Sequence, residues 1–328
     1  MTARIVTVFG GSGFIGRYLV QRLARQGWIV RVAVRRPDRA LFLKPMGAVG
    51  QITPIGASLR HETSIAAAVA GADAVVNLVG ILHGRGANSF TAIHVEGAAR
   101  AARAARAAGA KTFVQMSALG ADPDSPAEYG RSKAAGERAV REAFPAAAVA
   151  RPSIVFGPED DFFNRFAGMA RFLPALPLIG GGHTQFQPVY VGDVADALLR
   201  LVEDPATAGK TYELGGPRVY SFRALLELML REIGRRRLLL PVPFGLASLQ
   251  AFFLELPSNL MDLLGILILP SPPLTQDQVQ LLRRDSVVSA GALTLEDLGI
   301  RPTAVELIVP GYLARYRPGG RFVAPANS

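Results

Sequence analysis

Near its N-terminus the chain carries an apolar run, Ile5 to Phe9, that breaks at Gly10-Gly11-Ser12-Gly13-Phe14-Ile15-Gly16 and resumes with helical periodicity at Phe14. Gly10, Gly13 and Gly16 form a G-x-x-G-x-x-G loop between a strand pattern and a helix pattern. Glycines allow a tight turn and the close approach of a pyrophosphate, and the new helix offers that anion free N–H groups and the positive end of its dipole. A glycine triad alone also describes an ordinary turn. The flanking strand and helix supply the context that the phosphate-binding motif requires. The loop therefore predicts a nucleotide held by Gly10, Ser12, Gly13, Phe14, Ile15 and Gly16.

The second strand, Trp28 to Val34, ends at Arg35-Arg36-Pro37. A carboxylate at this position hydrogen-bonds the adenosine ribose and selects NAD, whereas arginines suit a 2′-phosphate. Two arginines with no acid before Asp38 predict NADPH, with a solvated basic turn as the plainer alternative. Further strands at Val49 to Ile55, Ala74 to Val79, Lys111 to Met116 and Ala147 to Phe156 alternate with helices at short spacing. That alternation gives a parallel sheet covered on both faces. Ser58, Leu59, Val79, Gly80, Ser117, Tyr129, Lys133 and Pro152 complete the candidate cofactor contacts.

The chain has 328 residues, enough for one large core or for a domain with a sizeable appendage. It has no cysteine, which excludes disulfides, thiolate metal sites and a cysteine nucleophile. Its four histidines, His61, His83, His94 and His183, lack metal-ligand spacing, so no metal is expected. A net charge of +10 suits anionic partners, but no Lys/Arg block is interleaved with aromatics, and nucleic acid is not expected. The first strand begins near Arg4, so no leader is expected in the chain as given.

Beyond Gly157 the pattern changes. Pro174, Pro177 and Gly180-Gly181-Gly182 predict irregular structure, and Ser221 is the expected N-cap of a helix from Phe222 to Ile233. The stretch 238–273 is apolar but interrupted by Pro241, Pro243, Gly245, Glu255, Pro257 and Asp262. It is too broken for a transmembrane helix. A buried core or lid and an apolar surface for a partner or the membrane interface remain open, the second with Arg235-Arg236-Arg237 beside it.

Ser117, Tyr129 and Lys133 form the candidate chemical group. A tyrosine four residues before a lysine shares one helix face with it, and a nearby ammonium eases loss of the phenolic proton. Ser117, at the end of the preceding strand, is placed to hold a substrate oxygen. Together with the glycine loop, these residues resemble the extended short-chain dehydrogenase/reductase superfamily over the first two-thirds of the chain. The resemblance implies an asparagine on the helix before the serine strand. In Ala92-Ile93-His94-Val95-Glu96-Gly97 it is His94 that stands there, which weakens the expected catalysis.

Met116 to Asp122, Tyr129-Gly130-Arg131-Ser132-Lys133, Arg151 to Ala167 and Gln187 to Val194 are similar to one subgroup, the dehydrogenase-like accessory subunits of respiratory complex I. The resemblance implies a Rossmann-type doubly wound parallel sheet with a smaller, irregular, mostly helical C-terminal part. The expected nucleotide-binding domain is 1–157, joined by 186–216; the docking part is 158–185 with 217–328. It implies a tightly held NADPH that does not turn over, and Ser117, Tyr129 and Lys133 in a vestigial role. Expected partners are other complex I subunits, with 238–273 against the membrane surface or membrane-arm subunits. The expected location is the cytoplasmic face of a bacterial inner membrane, or the matrix side of a mitochondrial one. The competing expectation is a free-standing NADP-dependent reductase or epimerase-type enzyme that uses Tyr129 and Lys133.

Overall fold

A computed structural model of the chain describes residues 4–84, 86–252 and 275–320. It divides into two compact units. The first comprises Met1–Pro152, Val191–Leu214 and Ser289–Arg301; the second comprises Ser153–Tyr190, Gly215–Val288 and Pro302–Ser328.

The first unit is a seven-stranded parallel sheet of β1 (Ile5–Phe9), β2 (Ile29–Val34), β3 (Ile52–Gly56), β4 (Ala74–Asn77), β5 (Thr112–Met116), β6 (Ala148–Pro152) and β11 (Thr211–Leu214). The spatial order is β11-β6-β5-β4-β1-β2-β3, so the order reverses between β1 and β4. In such sheets the crevice at the reversal lies beyond the carboxyl ends of the strands and is where ligands bind. Val6 pairs with Val30 on one side and Ala74 on the other, and all three are fully buried. Strands covered on both faces need apolar residues at nearly every position, which is why these segments read as continuous runs.

Helices α1 (Phe14–Arg25), α2 (Glu62–Val69), α3 (Ala98–Ala107), α4 (Glu128–Ala143) and α6 (Val191–Glu203) also belong to this unit. Ala98, Ala101, Ala102 and Ala105 of α3 are buried against Val75, Phe113 and Val140. Their small side chains bring the helix close to its neighbours. The chain leading into α3 takes π-helical turns, Thr91–Gly97, in place of a regular α-helix. α4 packs closely on these turns: a Cβ on Gly136 would stand 2.2 Å from the His94 carbonyl oxygen.

The predicted sixth strand is divided at Ser153. β6 closes the first unit, and β7 (Val155–Phe156) pairs with β10 (Val189–Tyr190) in the second. Where Pro174 and Pro177 suggested irregular chain, β8 (Ala175–Ile179) forms a parallel pair with β13 (Leu238–Val242). A two-stranded sheet has an open edge on each strand, and there Pro177 and Pro241 remove no ladder bond that the pair requires. A third small pair joins β9 (Gln185–Phe186) to β12 (Tyr220–Ser221).

The core of the second unit is aromatic. Phe163 of α5 (Phe162–Phe172) and Phe222 of α7 (Phe222–Glu232) are buried, and the Phe166 and Phe222 rings meet edge to face at 5.5 Å. The Ser221 hydroxyl caps α7, as expected, by accepting the Ala224 N–H at 3.1 Å. Of the apolar stretch 238–273, residues 253–273 lie outside the described residues. The remainder exposes Leu238, Leu240, Leu246, Leu249 and Phe252. Among the described residues no helix is long and apolar enough to cross a membrane, and no group of His, Asp and Glu is placed to hold a metal ion.

Candidate nucleotide-binding site

A cleft of about 860 Å³ runs along the carboxyl ends of β1 to β4 in the first unit. Gly10, Ser12, Gly13, Arg35, Arg36, Ser58, Leu59, Val79 and Gly80 all line it, so nine of the sequence candidates converge. Gly10 adopts a φ of +75°, a conformation that side-chain-bearing residues rarely tolerate. Gly16 is buried, and a Cβ there would lie 2.6 Å from the Gly10 carbonyl oxygen and the Gly11 backbone. Only a hydrogen fits, so α1 is drawn tightly under the loop. Gly13 is the N-cap of α1, with no side chain closing the first turn and no acid within it. The helix end is open to an anion.

The far end of the cleft is cationic. Arg35 and Arg36 are joined there by Arg39 and Arg60. Arg36 pairs with Asp38 at 3.0 Å, both well exposed, and this contact holds the Asp38 carboxyl below the usual carboxylate range. Sequence reasoning missed Arg39. The short helix Pro37–Met46 begins at that point, and the Arg39 N–H donates to the Arg36 carbonyl at 3.1 Å. Had that turn been read, the i,i+3 spacing would have revealed the residue.

Phe14 and Ile15 open α1, half-buried, and are not among the residues lining the cleft. Pro152 is buried at the end of β6, where its carbonyl accepts the Leu119 N–H at 2.9 Å. Ser117 directly follows β5, and its N–H donates to the Ala150 carbonyl at 2.7 Å. The Ser117 hydroxyl oxygen is buried with no hydrogen-bond partner among the described residues. A buried orphan hydroxyl is uncommon in a folded protein.

His94 and Lys133 come together at Gly80. The His94 ring is 3% exposed. Its Nε2 accepts the Ile81 N–H at 3.0 Å, and a backbone N–H can only donate, so the ring proton sits on Nδ1. Nδ1–H then donates to Ser132 Oγ at 2.9 Å, which in turn donates to the Tyr129 carbonyl at 2.8 Å. Burial, with the Lys133 charge added, lowers the His94 pKa to about 3 and keeps the ring neutral.

Lys133 is buried beside Gly80, where an added Cβ would meet Nζ at 3.2 Å. Its ammonium donates only a long bond, 3.5 Å, to the Met116 carbonyl. Burial lowers its pKa to about 8 against the opposing pull of Glu137. Nζ stands 5.7 Å from the centre of the Tyr129 ring, and Tyr129 packs edge to face on His94 at 5.6 Å. The cluster thus sets a phenol ring beside a buried ammonium. Both ring nitrogens of His94, however, are already engaged.

A family model described as NAD dependent epimerase/dehydratase family matches residues 6–215. The chain is 39% identical over 320 residues to the mitochondrial NADH dehydrogenase [ubiquinone] 1 alpha subcomplex subunit 9 of Arabidopsis thaliana, covering 96% of this chain and 79% of that one. It is 34% identical over 321 residues to the mitochondrial NADH-ubiquinone oxidoreductase 40 kDa subunit of Neurospora crassa, covering 97% and 81%. Among solved structures, a nucleoside-diphosphate-sugar epimerase of Staphylococcus aureus superposes with a TM-score of 0.70 at 15% identity, covering 94% of this chain and 99% of that one. The glycine loop, the order reversal between β1 and β4 and the similarity beyond the end of the family model agree: the chain belongs to the NAD dependent epimerase/dehydratase family, in the branch that holds the mitochondrial subunit 9 proteins.

Proposed function

We propose that this chain is an accessory subunit of respiratory complex I that binds NADPH and does not turn it over. One observation carries the reading. The identity to the mitochondrial subunits runs through 96% of the chain, well past residue 215, where the general family model stops. The segments that would shape a substrate site in a free enzyme are thus shared with proteins named as subunits of the respiratory enzyme.

The cleft fits a nicotinamide dinucleotide. Gly10, Ser12 and Gly13 line the cleft where the pyrophosphate meets the open end of α1; Gly10, Gly13 and Gly16 keep the loop free of bulk, and Phe14 and Ile15 offer backbone N–H groups from the first turn. Arg35, Arg36 and Arg39 face the 2′-phosphate and select NADPH over NADH. Ser58, Leu59, Val79, Gly80 and Pro152 complete the contacts. The unpartnered Ser117 hydroxyl and the Tyr129–Lys133 pair meet the nicotinamide end. The bound nucleotide carries a transferable hydride. The protein side keeps a phenol and an ammonium beside it but leaves position 94 without a free nitrogen to relay a proton.

The exposed leucines of 238–252 support docking against the membrane surface or membrane-arm subunits. Arg235 and Arg237 each donate to a carbonyl, of Tyr316 and Ala170, and are half-buried, whereas Arg236 is the exposed cation of that triplet. The subunit is peripheral, on the cytoplasmic face of a bacterial membrane or the matrix side of a mitochondrial one. Replacing Arg35 and Arg36 together by alanine tests the cofactor. Charge-assisted contacts of this kind contribute about 1.5–3 kcal/mol each. The expected result is at least tenfold loss of NADPH affinity with little change for NADH, measured by titration calorimetry; an unchanged preference would remove the phosphate site from this end.

A further inference from the structure

The side of α4 that faces away from Lys133 borders a second concavity, of about 720 Å³. Arg131, Ala134, Ala135, Arg138, Arg141 and Glu142 line it from the helix. Their spacing of i, i+3, i+4, i+7, i+10 and i+11 forms one stripe, while Gly130, Lys133, Gly136 and Val140 on the opposite stripe are buried. The three helix arginines span about 15 Å along the axis.

The cations are unequal. Arg151, on the floor, is offset by Glu137 at 2.8 Å and Glu213 at 3.5 Å. Arg131 gives one bond to the Ser125 carbonyl at 2.6 Å, and Arg141 gives one to the Thr211 hydroxyl. Each of those guanidinium groups has five donors, so most remain available. Arg138 is exposed and has no hydrogen-bond or ion-pair partner among the described residues. Glu142 is the one exposed acid of the lining. Ala134 and Ala135 leave a shallow floor between the arginines, where a chain can lie close.

We propose that this groove takes an acidic segment of a neighbouring protein subunit, with carboxylates on Arg131, Arg138 and Arg141 and an apolar residue on Ala134 and Ala135. The proposal rests on the accessory-subunit reading. Charge complementarity selects the occupant. A single phosphate cannot span about 15 Å of cations, and a nucleic acid needs a longer basic track than one that contains Glu142. A second copy docked by a two-fold axis would set this arginine row against itself, because such an interface uses the same patch on both subunits. A carboxylate-bearing chain meets paired donors at each arginine, the geometry in which guanidinium is strongest.

Because the chain contains no cysteine, Ala135→Cys provides a unique attachment point for a thiol-linked photo-crosslinker in the intact complex. The expected adduct is a peptide of another subunit that carries clustered Asp or Glu. Arg138→Glu is expected to weaken retention on the complex about tenfold in salt-wash sedimentation. Arg103→Glu, on the exposed side of α3, is the charge-matched control and should be retained as wild type. Adducts with a second copy, with lipid or with a segment lacking acids would overturn the groove assignment, as would equal retention of both variants. Loss of the wild-type chain itself from the complex would instead overturn the accessory-subunit reading, and the groove assignment with it.

Discussion

His94 joins three pieces of backbone through one neutral ring. It takes the Ile81 N–H on one nitrogen and reaches the Tyr129 carbonyl through Ser132 on the other. Protonation would place a donor against the Ile81 donor, so the folded state resists it. With a folded pKa of about 3 and an ordinary value of 6.5, the unfolded chain binds the proton first as pH falls. The stability that His94 contributes is therefore complete above pH 6.5 and is lost progressively between 6.5 and 3. Between pH 6.5 and 5 that loss is about 2 kcal/mol. Urea unfolding across this window should show it, and His94→Gln should flatten the slope; identical slopes would mean that the ring is not held neutral. Lys133 acts in the opposite range. Its burial penalty is present below pH 8 and is relieved as pH rises towards 10.5. The sequence placed His94 where an asparagine was expected but did not reveal its two partners. Both come from other elements, and only the folded backbone brings Ile81 to the ring.

At the scale of elements, the glycine loop was fully legible because its physics is local. A strand, a turn requiring positive φ and a helix follow one another within a dozen residues. The π-helical opening of Thr91–Gly97 was not legible; the backbone packed against it, at Gly136 on α4, lies about forty residues away in sequence. Substituting Gly136 by alanine places a methyl group 2.2 Å from the His94 carbonyl oxygen, with backbone on both sides. Overpacking of this kind costs about 1–3 kcal/mol. The expected outcome is a lowered Tm together with weaker nucleotide binding, since Lys133 and Tyr129 ride on the same helix; a Tm within experimental error of wild type would show that α4 has room to move. The pairing of β8 with β13 was hidden for a related reason. Two prolines argue locally against a strand, and only the partner shows that their missing N–H groups are not needed. Arg39 was missed through an unrecognised helical turn rather than through distance.

At the scale of the whole molecule, the first unit carries the glycine-loop cleft and the second an aromatic core with exposed leucines at 238–252. Sequence resolved the first unit more fully than the second. Parallel strands buried on both faces leave a strong signal, whereas short strand pairs and helices of a few turns do not. A ligand that binds only the folded chain stabilises it by about 2.7 kcal/mol at a hundredfold excess over Kd. Stripping NADPH from the purified chain should lower its Tm accordingly, and Tyr129→Phe should leave both that shift and assembly intact. A lost shift would show that the phenolic hydroxyl, and not only the ring, holds the nicotinamide end.

The decisive measurement is made on the native protein. Membranes are gently solubilised, the complexes are separated by sedimentation, and the fraction holding this chain is assayed for NADH:quinone oxidoreductase activity and for bound nucleotide. An accessory subunit predicts that the chain travels with that activity and releases close to one NADPH per chain on denaturation, still reduced after the complex has turned over NADH. Recovery as a free monomer or self-oligomer, or with a nucleotide that is oxidised and reduced as substrate is supplied, would contradict it.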